Sequence, residues 1–83
     1  MELRAITYNY TQDGMLQNKV VGIFERTELE SALNDIRTFY KDEGIRIVND
    51  NYDASCDNYF LEFDNKERSY FYTSTYTVNE LQL

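Results

Sequence analysis

Polar and apolar residues along the chain sort into six segments with two different periods. Residues 3–10, Leu-Arg-Ala-Ile-Thr-Tyr-Asn-Tyr, mix β-branched and aromatic residues with polar ones, which predicts a strand. Asp13-Gly14 is a hairpin signal, because both residues tolerate positive φ. A second strand is expected over 18–25, around Val20, Val21, Ile23 and Phe24. A two-residue turn sets Ile6 opposite Val21 and Leu3 opposite Phe24; the polar stretch from Thr11 to Asn18 also accommodates a longer loop.

The period then changes. Leu29, Ala32, Leu33, Ile36, Phe39 and Tyr40 recur at helical spacing and form one apolar stripe, so a helix is expected from about Thr27 to Glu43. Thr27-Glu28-Leu29-Glu30 reads as a capping box, in which the threonine hydroxyl accepts from the third helical amide and the glutamate reaches back. Gly44 supplies the stop. Asp42 and Glu43 fall at the negative end of the helix dipole, where carboxylates are mildly unfavourable, so propensity does not explain them.

Three strands follow: 45–49, 58–64 and 67–78. The last two read as a hairpin turning at Asn65-Lys66, with Leu61 against Tyr70 and Phe60 against Phe71. In that register Tyr59, Leu61 and Phe63 share a face with Tyr70 and Tyr72, and Phe60 and Glu62 share the other with Phe71 and Thr73. The order ββαβββ predicts an α+β fold, an antiparallel sheet of about five strands with one amphipathic helix on a face. With 83 residues, no proline and no linker, the chain reads as a single domain, 1–83.

Charge adds what the pattern lacks. Fifteen acids against eight bases give a formal net charge of −7. Such a surface repels nucleic acid and anionic lipid at long range and attracts basic partners. Disorder is the other acidic composition, but it lacks aromatics, and this chain has eight Tyr and five Phe. A single cysteine, Cys56, excludes an intrachain disulfide and fits a reducing cytoplasm. Met1-Glu2-Leu3-Arg4 does not resemble a signal peptide, and no apolar run approaches a membrane span. A cytoplasmic protein is therefore expected. Asn9-Tyr10-Thr11 matches a glycosylation sequon, which without a secretion route is read as chance.

Catalysis is disfavoured by what the chain lacks. There is no histidine, which removes the commonest general base, and the three glycines are too scattered for a phosphate loop. Cys56 stands between Asp53 and Asp57, whose charges raise a thiol pKa, so it reads as a partly buried loop residue and not a nucleophile. Paired carboxylates such as Glu62 and Asp64 need a cleft that a chain this short does not readily form, and a solvated strand face is preferred. Residues 49, 51, 53, 55 and 57 mimic alternate ligands of a calcium loop, but Ala54 replaces the glycine and Phe60 the final glutamate. No cofactor and no metal are expected.

The distribution of charge is the strongest signal. From Asp42 to Glu67 eight acids face only Arg46 and Lys66, so this stretch carries −6 of the −7. Tyr52, Tyr59, Tyr70, Tyr72 and Tyr76 accompany or follow it. Alternate strand residues stand about 6.6–6.8 Å apart, a spacing comparable to successive phosphates. Tyrosine adds rigid contact area with a polar tip. The expected contact set is Asp42, Glu43, Asp50, Asp53, Asp57, Tyr59, Glu62 and Asp64. The bland counterpart is a charged surface kept for solubility.

In size, acidity and aromatic content the chain resembles the small inhibitors that phages and mobile elements direct against host nucleases, the anti-CRISPR and anti-restriction proteins. The resemblance is of general type across the whole chain and rests on no shared motif. It implies a non-enzymatic inhibitor that presents carboxylates to the basic groove of a nucleic-acid-binding protein, a nuclease or effector complex, without touching nucleic acid or membrane. The alternative is a structural module that forms a small homodimer through its C-terminal strand and exposed tyrosines. That route needs the terminal strand at a sheet edge; an interior strand is the equal expectation.

Overall fold

The computed structural model describes residues 2–77. Five strands and one helix follow in the order β1 (Glu2–Gln12), β2 (Met15–Phe24), α1 (Arg26–Asp42), β3 (Ile47–Asp53), β4 (Asn58–Phe63) and β5 (Tyr70–Thr77). All neighbouring strands are antiparallel, and the spatial order is β2-β1-β5-β4-β3. This is the α+β arrangement expected from the pattern. The helix joins the two edge strands, β2 and β3, and therefore crosses one face of the sheet.

The first turn has two residues. Asp13 and Gly14 both take positive φ, 54° and 78°, and Gln12 pairs with Met15. The register expected from that turn holds as far as Thr7 opposite Val20 and then shifts by one. Ile6 faces Gly22 instead of Val21, and Arg4 faces Phe24 in place of Leu3. The extra residue is a β-bulge at Val21, which aims Val21 and Phe24 at the helix.

The helix begins earlier than the capping box implied. Glu25 is the N-cap, it makes no side-chain cap bond, and Thr27 lies inside the first turn. Glu28 still sits in that turn, where a carboxylate favours the dipole. The C-terminus is a full Schellman motif. Gly44 takes φ +76°, its N–H donates to Lys41 O at 3.0 Å, and Ile45 N–H donates to Tyr40 O at 2.9 Å.

Leu29, Leu33 and Tyr40 bury the helix stripe against Ile6, Leu61, Phe63 and Phe71. The rings of Tyr40 and Phe63 stack at 3.9 Å between centroids, and both meet Phe71 edge-on at 5.9 and 5.8 Å. Phe39, expected in the stripe, is 59% exposed. A turn of 3.6 residues places it about 80° from Leu29, too far round to reach the sheet.

The third strand starts two residues later than expected and runs to Asp53. The Asn49–Asn58 stretch is therefore mostly strand. In a strand, alternate residues line up along one face and do not wrap a cation as a calcium loop does. The last hairpin slips by one residue from its expected register. Leu61 faces Phe71, Phe60 faces Tyr72 and Glu62 faces Tyr70. The connection is longer than an Asn65-Lys66 turn. Phe63 N–H donates to Ser69 O, and Asn65 holds Ser69 through its N–H and hydroxyl. The slip exchanges the two faces: Phe71 and Thr73 join Leu61 and Phe63 beneath the helix, while Tyr70 and Tyr72 turn to the open face.

β5 lies between β1 and β4. β4 covers it only over Tyr70–Tyr72, so its interior position withdraws that part of the strand from a second copy. Val78 and the tail that follows lie outside the described residues.

Candidate functional site

The fold spreads the expected carboxylates along the β3 margin and supplies most of them with a cation. Arg26 grips Asp57 with both nitrogens, at 2.9 and 3.0 Å. Arg37 holds Asp50 in the same bidentate way, at 3.0 Å for each contact. Arg46 reaches Asp64 at 2.9 Å, and Arg68 reaches Glu62 at 3.3 Å. Four of the seven expected carboxylates thus face an arginine, and three of those arginines lie outside the 42–67 stretch. Local charge counting does not see them, because the pairings of Arg26 and Arg37 span 31 and 13 residues.

Asp57 is the most engaged of these groups. Besides Arg26, its carboxylate accepts from the Tyr52 hydroxyl at 2.6 Å, and its backbone carbonyl accepts from buried Arg4. The Arg26 guanidinium lies 5.8 Å from the Tyr59 ring centroid, and Tyr59 packs on Tyr52 at 4.7 Å. Arg26 and Tyr52 hold the Asp57 carboxyl below its ordinary range, and Asp57 pushes Arg26 upward in return. Asp57 and Tyr59 therefore form a staple between the helix N-terminus, the β3–β4 turn and, through Arg4, strand β1. Asp53 accepts from the N–H and hydroxyl of Ser55, and both bonds lower its pKa. Cys56 in the same turn is exposed, not partly buried.

Asp42, Glu43 and Asp53 make no salt bridge among the described residues. Two further carboxylates, outside the expected set, share that condition and are better placed. Glu28, Asp35 and Asp42 recur every seven residues, two helical turns, on the flank of α1 that leans toward β2. Arg26, Arg37 and Lys41, all the bases of α1, occupy the opposite flank, toward β3, with Glu30 among them. The helix is thus divided lengthwise. Its basic flank neutralises β3 and its neighbouring turn, and its acidic flank stays open. The spacing of 28, 35 and 42 is visible in the chain and is the signal that marks Glu28 and Asp35.

Beside the acidic flank, α1 and β2 do not close on one another. They leave a cleft of about 340 Å³ lined by Ile6, Val21, Phe24, Ala32, Asp35, Ile36 and Phe71. A second hollow continues past Phe24 and Ala32 to Thr27, Glu28 and Ser31. The floor is apolar and the rim carries two carboxylates. Exposed Phe39 lies on the same flank, between Asp35 and Asp42 along the helix. The hollow thus sets apolar side chains directly beside the carboxylates of Glu28 and Asp35.

Comparison of the chain with protein-family models, with curated proteins and with solved structures gives no match.

Proposed function

We propose that this chain is a non-enzymatic protein-binding domain that engages a basic, nucleic-acid-binding partner, a nuclease or effector complex, and blocks it. The observation that carries this reading is the lengthwise division of α1. An arginine that already holds a carboxylate reduces its appeal to a partner. The flank carrying Glu28, Asp35 and Asp42 has no such arginine among the described residues.

The apolar cleft and exposed Phe39 supply the contact that charge alone does not. Charge complementarity speeds encounter and selects basic partners, while burial of an anchor slows release. Glu43 extends the acidic surface to the helix end. Asp50, Asp57, Glu62 and Asp64 already face arginines of this chain, which leaves them less to offer a partner. Relative to the expected contact set, the proposed surface moves from the β3 margin to the helix flank facing β2.

The test is charge reversal on that flank. Glu28→Lys with Asp35→Lys abolishes salt-sensitive capture of a basic nucleic-acid-binding protein from a host lysate. Asp50→Lys with Asp64→Lys weakens capture less, as far as the variants remain folded. The opposite ranking returns the contact to the β3 margin, and equal capture by all variants removes the acidic-surface reading.

A further inference from the structure

β2 is an edge strand without the usual protection. The other edge, β3, carries Asp50 and Asp53 within seven residues and a bulge after Ile47. β2 runs for ten residues with no acid, no proline and a single charge, Lys19. Nine large hydrophobic residues are exposed among the described residues, and five of them, Met15, Leu16, Val20, Val21 and Ile23, belong to this strand. A long apolar edge of this kind is a template for another strand.

The hairpin also projects. β5 pairs with β1 only as far as Asn9, so Tyr10–Gln12 and Met15–Gln17 form a two-stranded arm beyond the sheet. Two strands alone are marginal in water, and a third strand stabilises them.

We infer that β2 pairs with β2 of a second copy of this chain, antiparallel, over Leu16–Val20, with a two-fold axis at Asn18. Alternation of the ladder, counted from the two-residue turn, aims the N–H and C=O groups of Leu16, Asn18 and Val20 away from β1. An axis at Asn18 then sets Asn18 opposite Asn18, and Leu16 opposite Val20 in both directions. Every outward backbone group in this window meets a complementary one, as an isologous contact requires. Lys19 falls opposite Gln17, so no like charges meet.

Charge decides the occupant. Two copies each carrying −7 repel over most of their surfaces, and β2 is the edge strand that bears no carboxylate to oppose approach. A strongly basic partner gains nothing at this edge and is drawn elsewhere. The window ends at Val20, before the bulge, so the cleft between α1 and β2 stays outside it. This inference therefore stands apart from the proposed function.

The mass of the full chain in solution tests it, measured by sedimentation equilibrium across a wide concentration range. The wild type is expected at twice the chain mass. Asn18→Pro is expected at the single mass with an unchanged far-UV spectrum, because the missing N–H pointed outward and edge strands tolerate proline there. Val20→Lys, which adds charge at a position already exposed, is expected to behave the same way and decides the matter if the proline variant does not fold. A wild type that stays at the single mass throughout overturns the inference. So does a doubled mass in either folded variant.

Discussion

Asp57 makes more contacts than any other carboxylate of the expected set. It joins two arginines and a tyrosine from three parts of the chain. Its pKa lies below the ordinary value of about 3.9, so the stabilisation it provides is present above that pH and is lost as pH falls through the depressed value. Asp57→Asn should flatten the acid limb of the stability–pH curve, read from denaturation midpoints below about pH 4. Tyr40 works in the opposite direction. Burial, and Tyr8 beside it, push its phenol up to about 12, so its contribution is complete below pH ~10 and fades as pH rises toward that value. Ultraviolet titration should show a tyrosine step approaching pH ~12, and Tyr40→Phe should remove it. Leu33 is 1% exposed at the centre of the helix stripe. Leu33→Ala should cost about 2–5 kcal/mol, against a total of about 5 kcal/mol expected for a domain of this size. Urea denaturation should find that variant at or near unfolding. Leu33 was legible because helical period alone selects it. The network around Asp57 was not, because it is assembled by contacts distant in sequence.

At the scale of the element, the helix shows which local signals decide structure. Gly44 terminates it as its position implied, and beyond the adjoining residues no atom stands within 4 Å of where a β-carbon would lie. Gly44→Ala should therefore cost only the left-handed backbone penalty, about 1–2 kcal/mol, and Gly44→Asn less. Thermal denaturation of the two variants checks the order. The capping box failed to form although its residues were present, since the chain enters the helix at Glu25 and buries Leu29 with Thr27 already in the first turn. The strands divide in a similar way. Asp13-Gly14 set the first register correctly until the bulge at Val21, which leaves no mark in a pattern of adjacent valines. In the last hairpin a one-residue error exchanged the faces of Phe71 and Tyr72. Both are aromatic, so hydrophobic alternation could not distinguish the core ring from the exposed one. The hydrogen bonds of Asn65 with Ser69 made the difference.

Over the whole molecule, a total of −7 says less than the way the helix distributes charge. The order ββαβββ and the one-helix sheet were legible because each element carries its own period. The location of open acidity was not, since four arginines cancel the carboxylates that linear counting favoured. The helix crossing assigns Arg26, Arg37 and Lys41 to the β3 side and leaves Glu28, Asp35 and Asp42 to the β2 side. The apolar cleft under that second flank is the grip proposed for a basic partner. The most direct test of this account is the affinity of the wild type and of the Glu28→Lys/Asp35→Lys variant for the captured partner, measured at low and at high salt. Reversal is expected to lower affinity at least about tenfold, mainly through slower association, with most of the difference erased by salt. Equal affinities for the two proteins at low salt would contradict it.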